Sequence, residues 1–504
     1  MKTLPLIAGL LLGSILPAAT PNFSEHIAPI IFNNCTTCHR PGEAGPFPFT
    51  SYEEVAKRGK MIAAITKART MPPWQAEKTA YPFANERTLT AAQIDLIQEW
   101  VRAGMPRGNA ALQPPLPKFP QGWELGKPDL IVKMSKSFRV PAEGTDIYRH
   151  FAFPIGLPED KWVRAIEFRP GARSVVHHAL LYFDTAALWP TLDGKDGKAG
   201  FDEYNSPVAK RQRVATWAVG SNPRTYPEGI AVKLPKGADL VVQTHFHPTG
   251  KEEDEISTVG IYFADAPPAK TWTELQLPYF FGIGAGIDIP AGDPAYTVTE
   301  SITLPVDVEA FAGFAHAHFL GKEFRLTAVL PSGQTQNLLW VKKWDFAWQT
   351  IYNFQDRVSL PKGTKLTARI VWDNSTANSA NQFNPPRAIR WGEASTDEMG
   401  SITLDIVPAR ETELPALTAA LRQHRQMTDA SRVLSADRAL ENGVAGLGAD
   451  EAKLATAVLG FFDTDKDGKL SPTELESARA TLRAQGFDTG LRRSSLPQQA
   501  ASAR

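Results

Sequence analysis

Ten histidines occur in the 504-residue chain, and six of them stand in three close pairs. The pairs are His177-His178, His245-Phe246-His247 and His316-Ala317-His318. On a β-strand, residues i and i+2 point to the same face, so a His-x-His pair brings two imidazoles to one point. Adjacent histidines both reach one metal only if the strand bulges or the two rings bind through different nitrogens. The pairs predict metal binding, and imidazole-rich sites without thiolate suit copper or zinc.

Both cysteines of the chain lie in one motif, Cys35-Thr36-Thr37-Cys38-His39. Cys-x-x-Cys-His is the attachment signature of a c-type haem, in which the thiols form thioethers and the histidine faces the iron. A redox dithiol and half of a zinc site are the alternatives, but the sequence contains no second cysteine pair. If haem occupies the motif, a disulfide scaffold and a copper centre with a cysteine ligand are excluded.

Three methionines in the same region are candidates for the second axial ligand of this haem: Met61, Met71 and Met105. Met71 is favoured because Pro72 and Pro73 follow it and fix the backbone that would present the thioether. The region resembles small c-type cytochromes, which carry their distal methionine in such a loop. A Met/His ligand pair raises the haem potential and suits an electron carrier. Core packing of Met71 is the alternative.

A third motif, residues 463–474, matches the twelve-residue calcium loop of an EF-hand. The predicted ligands are the side chains of Asp463, Asp465, Asp467, Ser471 and Glu474 and the carbonyl of Lys469. Gly468 stands at the tight turn of the loop. A solvated acidic turn is the alternative. Because no second complete loop is found in the sequence, we expect a structural or docking role rather than a calcium sensor.

Four motifs, taken in order, resemble the copper type II, ascorbate-dependent monooxygenases (peptidylglycine α-hydroxylating and dopamine β-monooxygenase-like). They are His177-His178 with the following Leu-Leu-Tyr-Phe strand, Gln243-Thr244-His245, His316-Ala317-His318-Phe319-Leu320-Gly321-Lys322, and Asp397-Glu398-Met399. The resemblance covers about residues 130 to 408 and implies two β-sandwiches that each hold one copper.

The resemblance also implies two ligand sets: His177, His178 and His245 for an electron-transfer copper, and His316, His318 and Met399 for the copper that binds O2. A thioether ligand favours Cu(I), the state that must react with O2. Core packing is the alternative for Met399. His247 has no clear counterpart, so it is a candidate supporting residue or alternative ligand.

Two features depart from the family. The animal enzymes rely on disulfides, which cannot form here if both cysteines carry haem. The peptide-amidating member binds its substrate carboxylate with an arginine at the position of Phe314, and it has a tyrosine at the position of Thr403. Because a buried carboxylate needs a paired cation, we expect a neutral or apolar substrate.

Composition and length indicate several globular domains, with 43% hydrophobic and 21% charged residues. Lys+Arg and Asp+Glu both number 54, so no general attraction to nucleic acid or an anionic membrane is expected. Residues 1–19 resemble a signal peptide, and no later segment has the length of a membrane span. The mature protein is therefore expected to be periplasmic or secreted.

The helices and strands that must position these motifs are predicted from the residue pattern along the chain. Ser51 and Thr90 are predicted to begin helices, and β-branched runs between turns predict strands from about residue 130 to 408. The expected fold class is multidomain and mainly β, with an α-helical cytochrome c domain and a helical EF-hand tail. The expected order is 1–19 signal peptide, 20–110 haem domain, 111–129 proline-rich linker, 130–275 and 276–408 copper β-sandwiches, 409–490 helical EF-hand region and 491–504 disordered tail.

The predicted function is that of an exported copper-dependent monooxygenase that hydroxylates a C–H bond of a small substrate with O2. The expected cofactors are two copper ions, haem c and Ca2+. Electrons would come from an external donor, a small reductant or a redox protein, and pass through the haem. A non-catalytic copper-binding or electron-transfer haem protein is the alternative. A zinc hydrolase is a further one, although no general base is evident near the histidine pairs.

Overall fold

The computed structural model describes residues 20–435, except 44, 120–121, 203–210, 220–222, 283–284 and 393, and also residues 456 and 458–484. The expected signal peptide and the expected disordered tail lie outside these residues. The described chain divides into two compact units. One is built from residues up to Pro73 together with Arg87–Phe119, and the other from Trp74–Glu86 and the residues after 119.

The first unit is helical, with α1 (Ala28–Asn34), α2 (Tyr52–Ala56), α3 (Gly59–Lys67) and α4 (Ala91–Arg102). As predicted, Ser51 and Thr90 begin helices, and each forms a capping box with the residue three positions later. Ile97 and Trp100 of α4 are fully buried in the core of this unit.

The second unit is rich in β-structure, which confirms the mainly β prediction for this part of the chain. Residues 130 to 271 form β1 (Leu130–Lys133), β2 (Phe138–Val140), β3 (Ile147–Phe153), β4 (Lys161–Arg169), β5 (Val176–Asp184), β6 (Arg211–Ala218), β7 (Arg224–Thr225), β8 (Ile230–Leu234), β9 (Asp239–Phe246), β10 (Glu253–Glu255), β11 (Thr258–Phe263) and β12 (Lys270–Thr271). The two larger sheets have the orders β1-β11-β4-β8-β12 and β3-β9-β5-β6, and they enclose one hydrophobic core.

A second pair of sheets follows. Its strands are β13 (Thr273–Leu277), β14 (Asp288–Ile289), β15 (Tyr296–Thr303), β16 (Val308–Ala317), β17 (Gly321–Val329), β18 (Thr335–Val341), β19 (Ile351–Leu360), β20 (Lys365–Trp372), β21 (Ile389–Arg390) and β22 (Gly400–Pro408). The sheets β13-β22-β16-β19 and β15-β20-β17-β18 enclose the second core. In β17, alternate residues such as Phe324, Leu326 and Ala328 are buried, as expected for a strand with one face on a core.

Strand β22 is buried at every position, which marks a strand covered on both faces. One face supplies Ile402 and Leu404 to the second core. On the other face, Val407 belongs to the first core together with Phe311 of β16. The sheet that carries the His316 motif therefore packs directly against the first sheet pair.

Residues 74–86 lie within the region predicted as the haem domain, but they pack with the second sheet pair. Ala76 pairs with Val341 and Phe83 with Phe354. The Ala84 amide donates to the Asn353 carbonyl over 2.8 Å. Hydrophobic periodicity did not indicate this excursion, because an irregular edge segment has no period of its own.

Two of the helices that the structure describes after β22 are α5 (Leu414–Ser435) and α6 (Pro472–Ala484), which come before and after the acidic loop motif in sequence. Leu417 of α5 joins the second core, while Met427 of the same helix packs with Leu470 and Leu482. None of the helices that the structure describes is long and apolar enough to span a membrane.

Candidate functional site

Three histidines of the first sheet pair present the same ring atom to one point. The Nδ1 atoms of His177 and His178 are 3.3 Å apart, and each lies 3.1–3.2 Å from Nδ1 of His245. Nitrogens bound tetrahedrally to one ion at about 2.0–2.1 Å lie roughly 3.3–3.4 Å apart. The three atoms therefore have the spacing of ligands around a single metal ion with room for a further ligand.

A shift in strand register explains how adjacent histidines converge. Val176 of β5 pairs with Phe246 of β9, and His178 pairs with His245, so β5 carries one extra residue at His177. This is the geometry of a β-bulge, which turns the His177 side chain toward the face that His178 occupies. Of the two routes considered from the sequence, the bulge is therefore the one present, and all three rings offer Nδ1.

Burial keeps the His177 and His178 imidazoles in the neutral form that binds metals. Loss of solvent lowers the pKa of His177 to about 4 and lowers the pKa of fully buried His178 well below its usual value. Neutral imidazoles carry the lone pair that a metal needs. The site is thus prepared for a cation at neutral pH.

Asp146, which the sequence did not single out, fixes the ring of His245. Its carboxylate accepts from Nε2 of His245 and from Nδ1 of His247, each over 2.8 Å, and from the Ser395 hydroxyl over 3.1 Å. The Tyr148 ring stacks on His245 with centroids 4.3 Å apart. With Nε2–H engaged, Nδ1 of His245 is left for a metal, an arrangement common behind metal-bound histidines. His247 is 67% exposed and contacts the carboxylate, in keeping with a supporting role.

His316 and His318 form a second group, in which Nε2 rather than Nδ1 is left for a ligand. Nδ1 of His316 donates to Oε1 of Gln349 over 2.6 Å, and Nδ1 of His318 donates to the Asp397 carbonyl over 3.0 Å. Both rings therefore keep Nε2 for a ligand. Their centroids are 5.5 Å apart, and burial lowers the pKa of His316 to about 4 and of His318 to about 3.

Met399 is buried and comes directly before β22, where Gly400 pairs with Ala317 between the two histidines of the motif. Strand pairing therefore brings the Asp397-Glu398-Met399 motif beside His316-Ala317-His318. The sequence missed the part of Glu398 in this arrangement. Its buried carboxylate accepts the amides of His318 and Met399 over 3.0 and 3.3 Å, and so ties both ligand-bearing segments together. Burial raises the pKa of Glu398 to about 8, against the effect of its donors.

A loop between β18 and β19, residues 342–350, touches both groups. The Phe346 ring centroid lies 5.5 Å from His177, 6.0 Å from His245 and 5.7 Å from His318. Gln349 of the same loop holds His316, as described above. The indole N–H of Trp344 donates to the His318 carbonyl over 3.0 Å. We call residues 342–350 the bridging loop.

Near His316 lies the Arg213 guanidinium, whose charge is neutralised by the Glu274 carboxylate. The Arg213 guanidinium lies over the Phe314 ring at 5.7 Å, and that ring stacks with His316 at 6.2 Å. Nε and Nη2 of Arg213 donate to one carboxylate oxygen of Glu274. Nη1 is buried, with no hydrogen-bond partner among the described residues.

In the helical unit, the Cys35 and Cys38 side chains are partly buried. The His39 amide donates to the Cys35 carbonyl over 2.9 Å, and Nδ1 of His39 contacts the Phe47 carbonyl at 3.0 Å. Nε2 of His39 is thereby left for a ligand, as a haem iron requires. The His39 ring stacks on Phe49 with centroids 4.6 Å apart. These residues fit a covalent haem.

The three candidate methionines differ in surroundings. Met105 packs in the core of the helical unit, with its sulfur close over Gly59. Met61 is exposed, and Met71 is half-buried just before Pro72. Core packing engages the Met105 thioether, and the choice of Met71 as the second ligand stays a prediction.

The acidic loop gathers three carboxylates. One oxygen from each of Asp463, Asp465 and Asp467 lies within 4.8 Å of the others. Oδ1 of Asp463 is buried without a hydrogen-bond partner among the described residues, an atom that a cation would satisfy. Gly468 has a φ of 83°, as the tight turn of such a loop requires. Glu474 accepts from the Thr464 hydroxyl and from the Ser471 and Thr464 amides, which lowers its pKa to about 2. The donor set suits Ca2+.

No protein-family model and no curated protein matches this chain. Solved structures similar to part of it include N-glycanase F, with 11% identity over 56% of this chain and 96% of that chain and a TM-score of 0.26. Others are the major capsid protein of bacteriophage PM2 (8% identity, 55% and 97%, TM-score 0.22) and the VP2 subviral particle of infectious bursal disease virus (9% identity, 58% and 74%, TM-score 0.18). Scores this low support no argument about fold or function.

Proposed function

We propose that the protein is a copper-dependent monooxygenase that hydroxylates a C–H bond of a small neutral substrate with O2. The observation that carries this proposal is the pair of neighbouring histidine groups joined by the bridging loop. One group offers three Nδ1 atoms, and the other offers two Nε2 atoms beside a buried methionine. All-imidazole and imidazole–thioether donor sets suit copper, and the thioether favours Cu(I).

Copper at these ligands would supply O2 activation at one site and single electrons from the other. The chain's own residues prepare that chemistry. Asp146 and Gln349 accept ring N–H groups and so keep the opposite nitrogens of His245 and His316 deprotonated toward the ion. Phe346 packs against rings of both groups. The buried Glu398 accepts the amides of His318 and Met399 and so fixes the backbone of both segments.

The proposed substrate is neutral because the cation beside His316 is already paired. Glu274 neutralises Arg213, so the pair has no net charge to offer a carboxylate. The remaining Nη1 donor can bind a neutral oxygen atom, such as a carbonyl or hydroxyl. Efficient amidation of glycine-extended peptides by the purified protein would contradict this substrate class.

We further propose that a c-type haem on Cys35, Cys38 and His39 is the donor to the copper at His177, His178 and His245. A haem with two protein ligands changes oxidation state without losing them, which suits one-electron transfer. In stopped-flow mixing of reduced haem with Cu(II)-loaded protein, haem oxidation should match the loss of the Cu(II) signal. The transfer should vanish in His177→Ala, while persistence of reduced haem in the unchanged protein would contradict the proposal.

A non-catalytic copper protein is the second candidate, and burial favours it. His316, His318 and Phe314 are all less than a tenth exposed, which suits an electron carrier more than an open substrate site. We also propose that the protein is exported to the periplasm or secreted. Metal analysis of the purified protein should approach two copper, one haem and one calcium per chain. O2 consumption with a reductant and a panel of neutral substrates then separates the candidates. Copper-loaded protein that consumes no O2 and forms no hydroxylated product would favour the carrier.

A further inference from the structure

Gln75 makes three hydrogen bonds to the main chain of the bridging loop. Its Nε2 donates to the Asp345 and Trp348 carbonyls, each over 2.8 Å, and its Oε1 accepts the Asp345 amide over 3.2 Å. One side chain thus fixes the loop on both sides of Phe346. Gln75 belongs to residues 74–86, which pack with the second sheet pair.

The bridging loop connects two strands and is not itself a strand, so side-chain contacts such as those of Gln75 are needed to hold it in place. Strand β18 ends at Val341 and β19 begins at Ile351, and between them the Trp344 amide donates to the Lys322 carbonyl of β17 over 3.0 Å. Within the loop, the Trp348 amide donates to the Asp345 carbonyl over 3.1 Å. That turn sets the position of Phe346 and, one residue beyond Trp348, of Gln349.

Those two side chains reach four of the five histidines in the two groups. Phe346 packs against His177, His245 and His318, and Gln349 holds His316. Gln349 also donates to the Phe346 carbonyl over 3.1 Å, which links these two residues to each other. A displacement of the loop main chain would therefore change the ring contacts of both histidine groups together.

We propose that Gln75 is a positioning residue for both metal sites, acting through the bridging loop. It touches no ligand itself. The inference rests on the proposed function for its reference to copper. The anchoring step itself concerns only contacts within the protein and can be measured without metal.

The test compares two leucine variants that each remove a side-chain contact of the same segment. Gln75→Leu removes the three bonds to the loop. Gln336→Leu removes the bond from the Tyr81 hydroxyl, which also docks residues 74–86 but does not involve the loop. In metal-free protein, hydrogen exchange at the Asp345 amide should accelerate at least about fivefold in Gln75→Leu only.

Copper then tests the consequence. In Gln75→Leu, Cu(II) affinity should fall at both histidine groups and the Cu(II) EPR parameters of both should shift, while Gln336→Leu resembles the unchanged protein. Gln75→Glu keeps the acceptor for the Asp345 amide and loses both donors, so it should retain slow exchange there and still lose affinity. This variant separates anchoring from simple misfolding.

Unchanged exchange in Gln75→Leu, or equal effects of the two leucine variants, would overturn the inference. Accelerated exchange with unchanged EPR and affinity would also reject it, while leaving the monooxygenase proposal intact. Failure of the unchanged protein to bind copper would instead refute the proposed function, and the exchange result would remain readable by itself.

Discussion

The two histidine groups differ in the ring nitrogen that they leave free. In the His177, His178 and His245 group, the Nδ1 atoms converge and Nε2 of His245 is bound to Asp146. In the His316 and His318 group, both Nδ1 atoms are bound to oxygen acceptors. For His245, His316 and His318, the acceptor behind the ring decides which nitrogen can meet a metal, because a neutral imidazole has only one lone-pair nitrogen.

The largest effect is expected from removing a converging ligand. His178→Ala should weaken copper binding at the first group by more than about 100-fold, because only two of three nitrogens remain. The second group should keep its copper, since its ligands come from other strands. Metal stoichiometry and Cu(II) EPR measure both. Loss of both coppers would show that the groups form one site.

Asp146→Ala should weaken copper binding at the first group by about 10- to 100-fold, since His245 loses the acceptor that fixes its tautomer. Competition with a chelator gives the affinity. Asp254→Ala is the control, because Asp254 pairs with Arg139 on the surface away from the ligands. An equal loss of copper affinity at the second group would show that Asp146 does not act on the first group alone.

Gln349→Leu should weaken the second group by about tenfold, because His316 loses its Nδ1 acceptor and both tautomers become available. The effect on the first group should be smaller, since the bond that Gln349 makes to a metal-site ring is to His316 of the second group. Gln349→Glu keeps an acceptor and should restore much of the affinity. A leucine variant with unchanged affinity would show that the acceptor does not select the nitrogen.

His247→Ala should have the smallest effect, a few-fold at most, because Asp146 keeps its bonds to His245 and Ser395. Copper titration followed by EPR measures it. Loss of a copper equivalent would instead make His247 a ligand, and the three Nδ1 atoms would then not be the complete set.

What the sequence by itself determined is local. The helices predicted to begin at Ser51 and Thr90 are present, because both partners of each capping box lie within one helical turn. The spacing of His316 and His318 predicted neighbouring rings, since a strand returns to the same face after two residues. For His177 and His178, the sequence left a bulge and different ring nitrogens as alternatives.

Only the tertiary structure decided how these rings are held. The bulge at His177 depends on pairing with β9, and the acceptor for His245 stands 99 positions away at Asp146. The anchor of the bridging loop stands 270 positions from Asp345 at Gln75. A lone aspartate or glutamine has no spacing signal, and its partner is fixed by the packing of sheets far apart in sequence. The choice between two nitrogens of an imidazole therefore belongs to the fold and not to the motif.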